Sequence, residues 1–236
     1  MKRILLMVIR NILIVPFYWC KLCYMAAHVD KYTEEERFVF LKKIVHIANK
    51  GGNVILKPYG LENIPKEDGF LIYPNHQGLY DALALIYVSP RPISAVIKKE
   101  AAGIPFIKQC VACLKAFAID REDIRQSMEV ILKVTKEVKK GRNYVIFAEG
   151  TRSKLGNKLL EFKGGSFKAA TKTKCPIVPV AMIDSFKPFD TKDIKPVTVQ
   201  VHFLEPMYYE ENKDMNTVEI AAEVKRRIEE TIAKYE

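Results

Sequence analysis

His76 and Asp81, five positions apart in Pro74-Asn75-His76-Gln77-Gly78-Leu79-Tyr80-Asp81, are residues whose types and spacing could do chemistry. They follow the apolar run 70–73, which reads as a buried strand, and Asp81 opens the helical pattern 81–88. On one regular helix the two side chains would diverge by roughly 140°. They meet only if a turn separates them, and Gly78 permits that turn. His76 then lies at the carboxyl edge of a sheet, where α/β proteins build their sites. With Asp81 accepting from Nδ1–H, Nε2 is left free as a base: two thirds of a hydrolase triad. An ordinary loop histidine beside a helix-capping aspartate fits the same spacing.

A second constellation, Phe147-Ala148-Glu149-Gly150-Thr151-Arg152-Ser153, also leaves a strand. Backbone N–H groups, hydroxyls and a guanidinium in a tight loop suit an oxyanion; a glycine turn with a solvated arginine is the plain alternative. A third, Phe117-Ala118-Ile119-Asp120-Arg121, offers another arginine for a phosphate, or one merely paired with Asp120 or Glu122. A fourth, Ile177-Val178-Pro179-Val180, is an apolar strand whose internal proline predicts an edge or a bulge. Lys98 and Lys99 are further candidates for phosphate or donor contact, with a solvated pair as the plainer reading.

The elements that must position these residues alternate. Strands are expected at 53–57, 70–73, 93–97, 116–119, 144–148, 177–182 and 197–204. Helices are expected at 81–88, 104–114, 123–140, 167–173 and after Asn216. This predicts an α/β fold, a mixed sheet flanked by helices. Thr33-Glu34-Glu35-Glu36 is a capping box opening a helix with Phe38, Leu41, Ile44, Val45 and Ala48 on one face, which Gly51-Gly52 should end. Ahead of it, residues 4–27 are largely apolar. Arg10, Asn11, Pro16 and Lys21 interrupt a clean span, and Arg10 breaks any signal-peptide core. Phe17, Tyr18, Trp19 and Tyr24 resemble an interfacial belt, with Lys2, Arg3, Arg10 and Lys21 facing head groups. Residues 1–50 are therefore expected to form an N-terminal pair of membrane-associated helices and 51–236 the α/β domain. A helix packed in the core is the alternative for 4–27.

Composition bounds the rest. The chain has 236 residues, 49% of them hydrophobic and 28% charged, enough to bury a sizeable core and too apolar for overall disorder. Its net charge of +10 points to anionic partners: nucleic acid, a membrane surface or phosphorylated substrates. Five cysteines make no disulfide scaffold, and a reducing compartment is expected. Cys20/Cys23 and Cys110/Cys113 lie in apolar helical text at the wrong separation for a zinc site, so no metal is expected. Residues 150–158 miss the P-loop spacing, and no nucleic-acid-binding motif is present.

Taken in order, the four constellations resemble the blocks of the glycerolipid acyltransferase family, specifically its bacterial 1-acylglycerol-3-phosphate acyltransferases. Asn75, His76 and Asp81 match N-H-x4-D. Arg121 matches the arginine that ends the second block. Phe147, Glu149, Gly150, Thr151, Arg152 and Ser153 match F-x-E-G-T-R-S, and Val178, Pro179 and Val180 match V-P-V. The resemblance covers about residues 53–205. It departs before Phe117, where Leu114-Lys115-Ala116 stands in place of a run that commonly holds a glycine.

The resemblance implies acyl transfer from acyl-CoA or acyl-carrier protein to the free hydroxyl of lysophosphatidic acid, giving phosphatidic acid for phospholipid synthesis. His76 is implied as base and Asp81 as its orienting partner. Arg121, Gly150 and Arg152 are implied around the acceptor phosphate, with Glu149, Thr151, Asn75 and Pro179 as further substrate-binding positions. It implies no cofactor beyond the thioester co-substrate, no nucleic acid, and a place on the cytoplasmic face of the cell membrane. Glycerol 3-phosphate or another lysolipid is the alternative acceptor. A non-catalytic basic protein binding membrane or nucleic acid is the alternative of a different class.

Overall fold

The structure, a computed structural model, describes residues 2–236. The chain opens with α1 (Lys2–Arg10) and α2 (Val15–Ala27), followed by α3 (Glu34–Gly52). The α/β region then runs β1 (Val54–Tyr59), β2 (Leu71–Pro74), α4 (Asp81–Val88), β3 (Ser94–Lys98), α5 (Lys99–Ala102), α6 (Ile107–Leu114), β4 (Phe117–Ile119), α7 (Ile124–Val138) and β5 (Tyr144–Val145). It closes with α8 (Lys168–Thr173), β6 (Ile177–Ile183), α9 (Lys187–Asp190), β7 (Val197–Phe203), α10 (Tyr209–Asn212) and α11 (Thr217–Tyr235).

Among the described residues the strands form one sheet in the order β1-β7-β6-β2-β5-β3-β4. All neighbours pair parallel except β6 and β7, so β1 and β7 run against the other five. The sheet is mixed, as expected. Alternate residues of β2 and β6 feed two separate cores. Ile72, Val178, Val180 and Met182 join Phe38, Leu41, Val45 and Leu85 on one face. Leu71, Tyr73, Ile177, Ala181 and Ile183 join Val134, Ile220, Val224 and Ile228 on the other. Every residue of β2 and β6 is buried, which is why they read as continuous apolar runs.

β6 lies between β7 and β2, not at an edge, so the edge expectation from Pro179 is corrected. The proline is tolerated because its carbonyl faces β7, where Leu204 N donates to it at 3.0 Å. The missing N–H therefore points to the same side, one residue before the Val180–Phe203 ladder begins.

The capping box forms: Glu36 N donates to Thr33 Oγ1 at 3.2 Å and Thr33 N to Glu36 Oε2 at 2.7 Å. Gly51 and Gly52 are the last turn of α3, and Asn53 is the left-handed cap that follows. Their lack of side chains serves packing, since a Cβ on Gly52 would lie 2.3 Å from Met7 Cε on α1. The expected helix 104–114 is shortened to Ile107–Leu114, because Pro105 removes a donor and disfavours helical backbone before it. The expected strand 144–148 pairs only over Tyr144–Val145 before the chain leaves the sheet.

Among the described residues, 2–52 hold three α-helices rather than two. The apolar stretch breaks after Arg10, and α1 and α2 meet at 101°. No single helix among the described residues is long and apolar enough to cross a membrane; the bent pair passes that test only together. The expected boundary at 50/51 falls in the last turn of α3, whose Phe38, Leu41 and Val45 belong to the same core as β6 and β7. Arg37 ties α3 further, donating to Cys113 O at 2.7 Å.

Candidate active site

β2 delivers the chain to the carboxyl edge of the parallel strands, and the loop 75–80 turns it into α4. Asp81, the first residue of α4, is fully buried. Its Oδ2 lies 2.7 Å from His76 Nδ1 and accepts the backbone N–H groups of Gln77 at 2.7 Å and Gly78 at 3.0 Å. An ionised carboxylate only accepts, so in the neutral imidazole the proton sits on Nδ1 and Nε2 carries the lone pair. Nε2 has no hydrogen-bond partner among the described residues, and the His76 side chain is 17% exposed. The ring stacks on Phe147 at 4.1 Å between centroids, which fixes its plane.

The second loop is joined to the first through the backbone of His76. Glu149 Oε1 accepts His76 N–H at 2.6 Å, and Ser153 N donates to His76 O at 2.8 Å. Glu149 Oε2 accepts Leu160 N–H at 2.9 Å, so one buried carboxylate ties three segments together. Burial pushes its carboxyl up to about 7, against the pull of the two backbone donors.

Asn75 exchanges hydrogen bonds with Met182 N and O, at 2.7 and 2.9 Å. Gln77 Nε2 donates to Met182 O and Asn157 Oδ1, and its Oε1 accepts from Ser185 N and Oγ. Both residues fasten the His76 loop to the end of β6. Gly78 must be a glycine: a Cβ there would lie 2.5 Å from Asp190 Oδ2 and 2.8 Å from Phe186 Cα.

The residues expected at the site are therefore not equivalent. His76 and Asp81 form the pair that their spacing suggested. Asn75, Glu149 and Pro179 are buried, and their polar groups bond to the protein itself. Gly150, at φ +73°, makes the turn that presents exposed Thr151 and half-buried Arg152.

Arg152 Nη1 stands 3.7 Å from Asp190 Oδ1. Arg121 follows β4, two strand positions from β5, which separates their loops by roughly 10 Å along the sheet. Burial lowers its pKa, opposed by Glu100. No hydrogen bond or ion pair among the described residues joins Arg121 to His76 or Arg152. Lys98 and Lys99 pair with Glu100 and Asp120 at 3.2 and 3.5 Å, as a solvated surface pair would.

Sequence reasoning missed Gln77, Phe147 as the ring beneath His76, and Asp190. The first two lie inside the motifs. Asp190 ends α9, a short helix that carries no motif.

A cavity opens at the opposite edge of the sheet, between Tyr59, His202, Tyr208, Arg227 and Tyr235. It shares no residue with the His76 loops, and the chemistry-bearing groups locate the site instead. The five cysteines are free thiols, and no group of three or more His, Cys, Asp or Glu suited to a metal occurs among the described residues.

A basic imidazole nitrogen at a sheet edge, beside a loop presenting an arginine, defines an α/β protein equipped to take a proton from a bound group and hold an anion nearby. The chain belongs to the acyltransferase family: the family model described as Acyltransferase matches residues 55–183. The 1-acyl-sn-glycerol-3-phosphate acyltransferase of Helicobacter pylori is 36% identical over 152 residues, 60% of this chain and 64% of that one. The enzyme of the same name from Salmonella typhimurium is 32% identical over 182 residues, 76% of this chain and 72% of that one. That from Borreliella burgdorferi is 30% identical over 148 residues, and the match spans 59% of its length. The fold matches the crystal structure of the 1-acyl-sn-glycerophosphate acyltransferase PlsC from Thermotoga maritima. Its TM-score is 0.76 at 23% identity, covering 100% of this chain and 99% of that one.

Proposed function

We propose that the protein transfers a fatty acyl group from an acyl-CoA or acyl-carrier protein thioester to the free hydroxyl of 1-acyl-glycerol-3-phosphate, producing phosphatidic acid. The observation that carries this reading is the His76–Asp81 pair, with Nδ1 engaged at 2.7 Å and Nε2 free. A glycerol hydroxyl is a poor nucleophile because its pKa is high. Nε2 removes its proton as the oxygen attacks the thioester carbonyl carbon. Asp81 stabilises the imidazolium that forms. Collapse of the tetrahedral intermediate breaks the carbon–sulfur bond, and the departing thiolate takes the proton from the imidazolium. The acceptor itself attacks, so no acyl-enzyme is needed. The thioester supplies the activated acyl group, so this chemistry calls for no cofactor. Arg152 holds the acceptor phosphate, with Arg121 as the more distant second cation.

The same reading places the protein on the cytoplasmic face of the cell membrane. Leu5, Ile9, Ile12, Leu13 and Phe17 are each more than half exposed along α1, its break and the start of α2, with Leu13 at 92%. An apolar face of this kind, beside exposed Lys2, Arg10 and Lys21, suits one leaflet with anionic head groups. Both substrates are amphiphiles, and a site over the bilayer spares an acyl chain its transfer through water.

Incubation with one labelled acyl thioester and a panel of lysophosphatidic acid, glycerol 3-phosphate and other lysolipids tests the proposal. Label should enter phosphatidic acid. Label entering only another acceptor replaces the acceptor assignment, and no transfer to any hydroxyl overturns the reading.

A further inference from the structure

We propose that Asp190 is a resident anion that occupies the acceptor phosphate's place at Arg152 and is exchanged for the phosphate when substrate binds. The inference rests on the reading of Arg152 as the phosphate ligand and adds the residue that sets its affinity.

Arg152 makes no hydrogen bond among the described residues. Its one charged partner is Asp190, at 3.7 Å, too long for a hydrogen bond. The two side chains are 31% and 35% exposed, so solvent screens the pair and a better anion can replace it. The Asp190 carboxylate makes no hydrogen bond either. Its Oδ2 rests against Gly78, at 2.5 Å from where a Cβ would stand, so it sits between Arg152 and the loop of His76. A guanidinium fork gains far more from a phosphate, with its three oxygens, than from one carboxylate oxygen at this distance.

Asp190 is presented by a fixed element. α9 lies directly on Gly78 through Phe186, and Phe189 meets Tyr80 edge-on at 5.2 Å. Pro188 is buried, and its carbonyl accepts from Arg3 Nε at 3.1 Å. Lys187, on the same helix, pairs through Nζ with Asp184 Oδ2 at 2.7 Å. Asp190 is thus the negative group held at Arg152, and it cannot drift away as a loop-tip carboxylate would. The consequence is selectivity. An acceptor without a phosphate does not displace the carboxylate, whereas a phosphorylated one does, at the cost of the Asp190 contact.

Calorimetric binding of sn-glycerol 3-phosphate, a soluble probe, to the full chain tests this without requiring turnover. Asp190→Asn keeps the shape and removes the charge, and should tighten binding about two- to fivefold, the factor to which a screened ion pair converts. The KM for lysophosphatidic acid in vesicles should fall by a similar factor with kcat unchanged. Asp190→Glu retains the charge and should not tighten binding. Asp184→Asn, a control that removes a nearby carboxylate already paired with Lys187, should leave the probe's affinity as in the wild type. Unchanged or weaker binding by Asp190→Asn overturns the proposal, and so does equal tightening by Asp184→Asn, which would indicate a general field effect. Arg152→Ala separates the underlying reading: if it binds the probe as the wild type does, Arg152 is not the phosphate ligand and both claims fall. If Arg152→Ala loses binding while Asp190→Asn gains none, only the exchange role of Asp190 fails.

Discussion

Glu149 accepts the backbone N–H of His76 at 2.6 Å and that of Leu160 at 2.9 Å, which makes a buried carboxylate the brace of the histidine rather than a contact facing open space. Glu149→Gln tests the brace. The amide retains one acceptor, so one of the two N–H groups would face an NH2 donor. Turnover should fall about ten- to a hundredfold through misplacement of the imidazole, while KM for both substrates moves little. An unchanged kcat would show that the loop holds without this contact.

The same residue predicts how stability depends on pH. The folded protein retains the Glu149 proton up to about pH 7, whereas an unfolded glutamate releases it near 4.5. Between those values the folded state binds more protons, so this group's contribution falls as pH rises, by on the order of 3 kcal/mol across the window, and levels off above it. Glu149→Gln has no such slope. Denaturant midpoints of wild type and variant should converge, or cross in the variant's favour, between pH 5 and 8. A gap independent of pH would mean that the carboxyl titrates as an exposed one.

His76→Ala should abolish transfer in a protein that still folds, since general-base removal costs about 10²–10⁴ in rate. Asp81→Asn is the more informative change. Asp81 also accepts from Gln77 and Gly78, so the amide disturbs the turn as well as the tautomer. It should lower kcat strongly with modest effect on KM. Retention of near wild-type turnover by purified His76→Ala would remove the base assignment.

Arg152 and Arg121 should contribute unequally. Arg152 sits on the loop hydrogen-bonded to His76, and Arg121 lies two strands away. Arg152→Ala should weaken phosphorylated acceptors by a factor corresponding to roughly 1.5–3 kcal/mol, Arg121→Ala by less, and neither should alter KM for the donor. Arg152→Lys should rescue partly, because lysine lacks the planar fork. Equal loss with a phosphate-free acceptor would point to damage in the loop itself.

How far the sequence carried this picture follows from the range of each interaction. α4 begins and ends where its pattern says, and the caps Thr33/Glu36 and Asn216/Glu219 form because all their partners lie within three residues. The His76–Asp81 contact was legible for the same reason: five residues and one glycine decide it. The relation of Arg3 to Pro188, 185 residues apart, was not. Arg3 looked like a cation for head groups, yet it is buried, donating to carbonyls of Gly52, Pro188 and Asp193. Tyr18, assigned to the interfacial belt, stacks inward on Phe40 at 5.8 Å. Period and composition report that a helix has an apolar face, and tertiary packing decides which residues that face gives up to the core.

That division of the N-terminal residues shapes the membrane prediction. Met7, Leu22 and Met25 are buried in the core, whereas Leu5, Leu13 and Phe17 point outward. A truncation beginning at Gly51 removes α3 with Phe38, Leu41 and Val45 and is expected not to fold, so substitutions on the outward face are the sound test. Each exposed side chain inserted into a leaflet contributes roughly 1.5–3 kcal/mol when fully buried. Leu5→Glu, Leu13→Glu and Phe17→Glu together should therefore release the protein from anionic vesicles while leaving its thermal midpoint close to wild type. Turnover should drop on vesicle-borne lysophosphatidic acid and persist on acceptor dispersed in detergent. The wild type should resist a high-salt wash, which screens charge but not apolar insertion, and come off with detergent. Release of the wild type by salt alone, or vesicle binding undiminished in the triple variant, would show that α1 and α2 do not hold the protein in the bilayer.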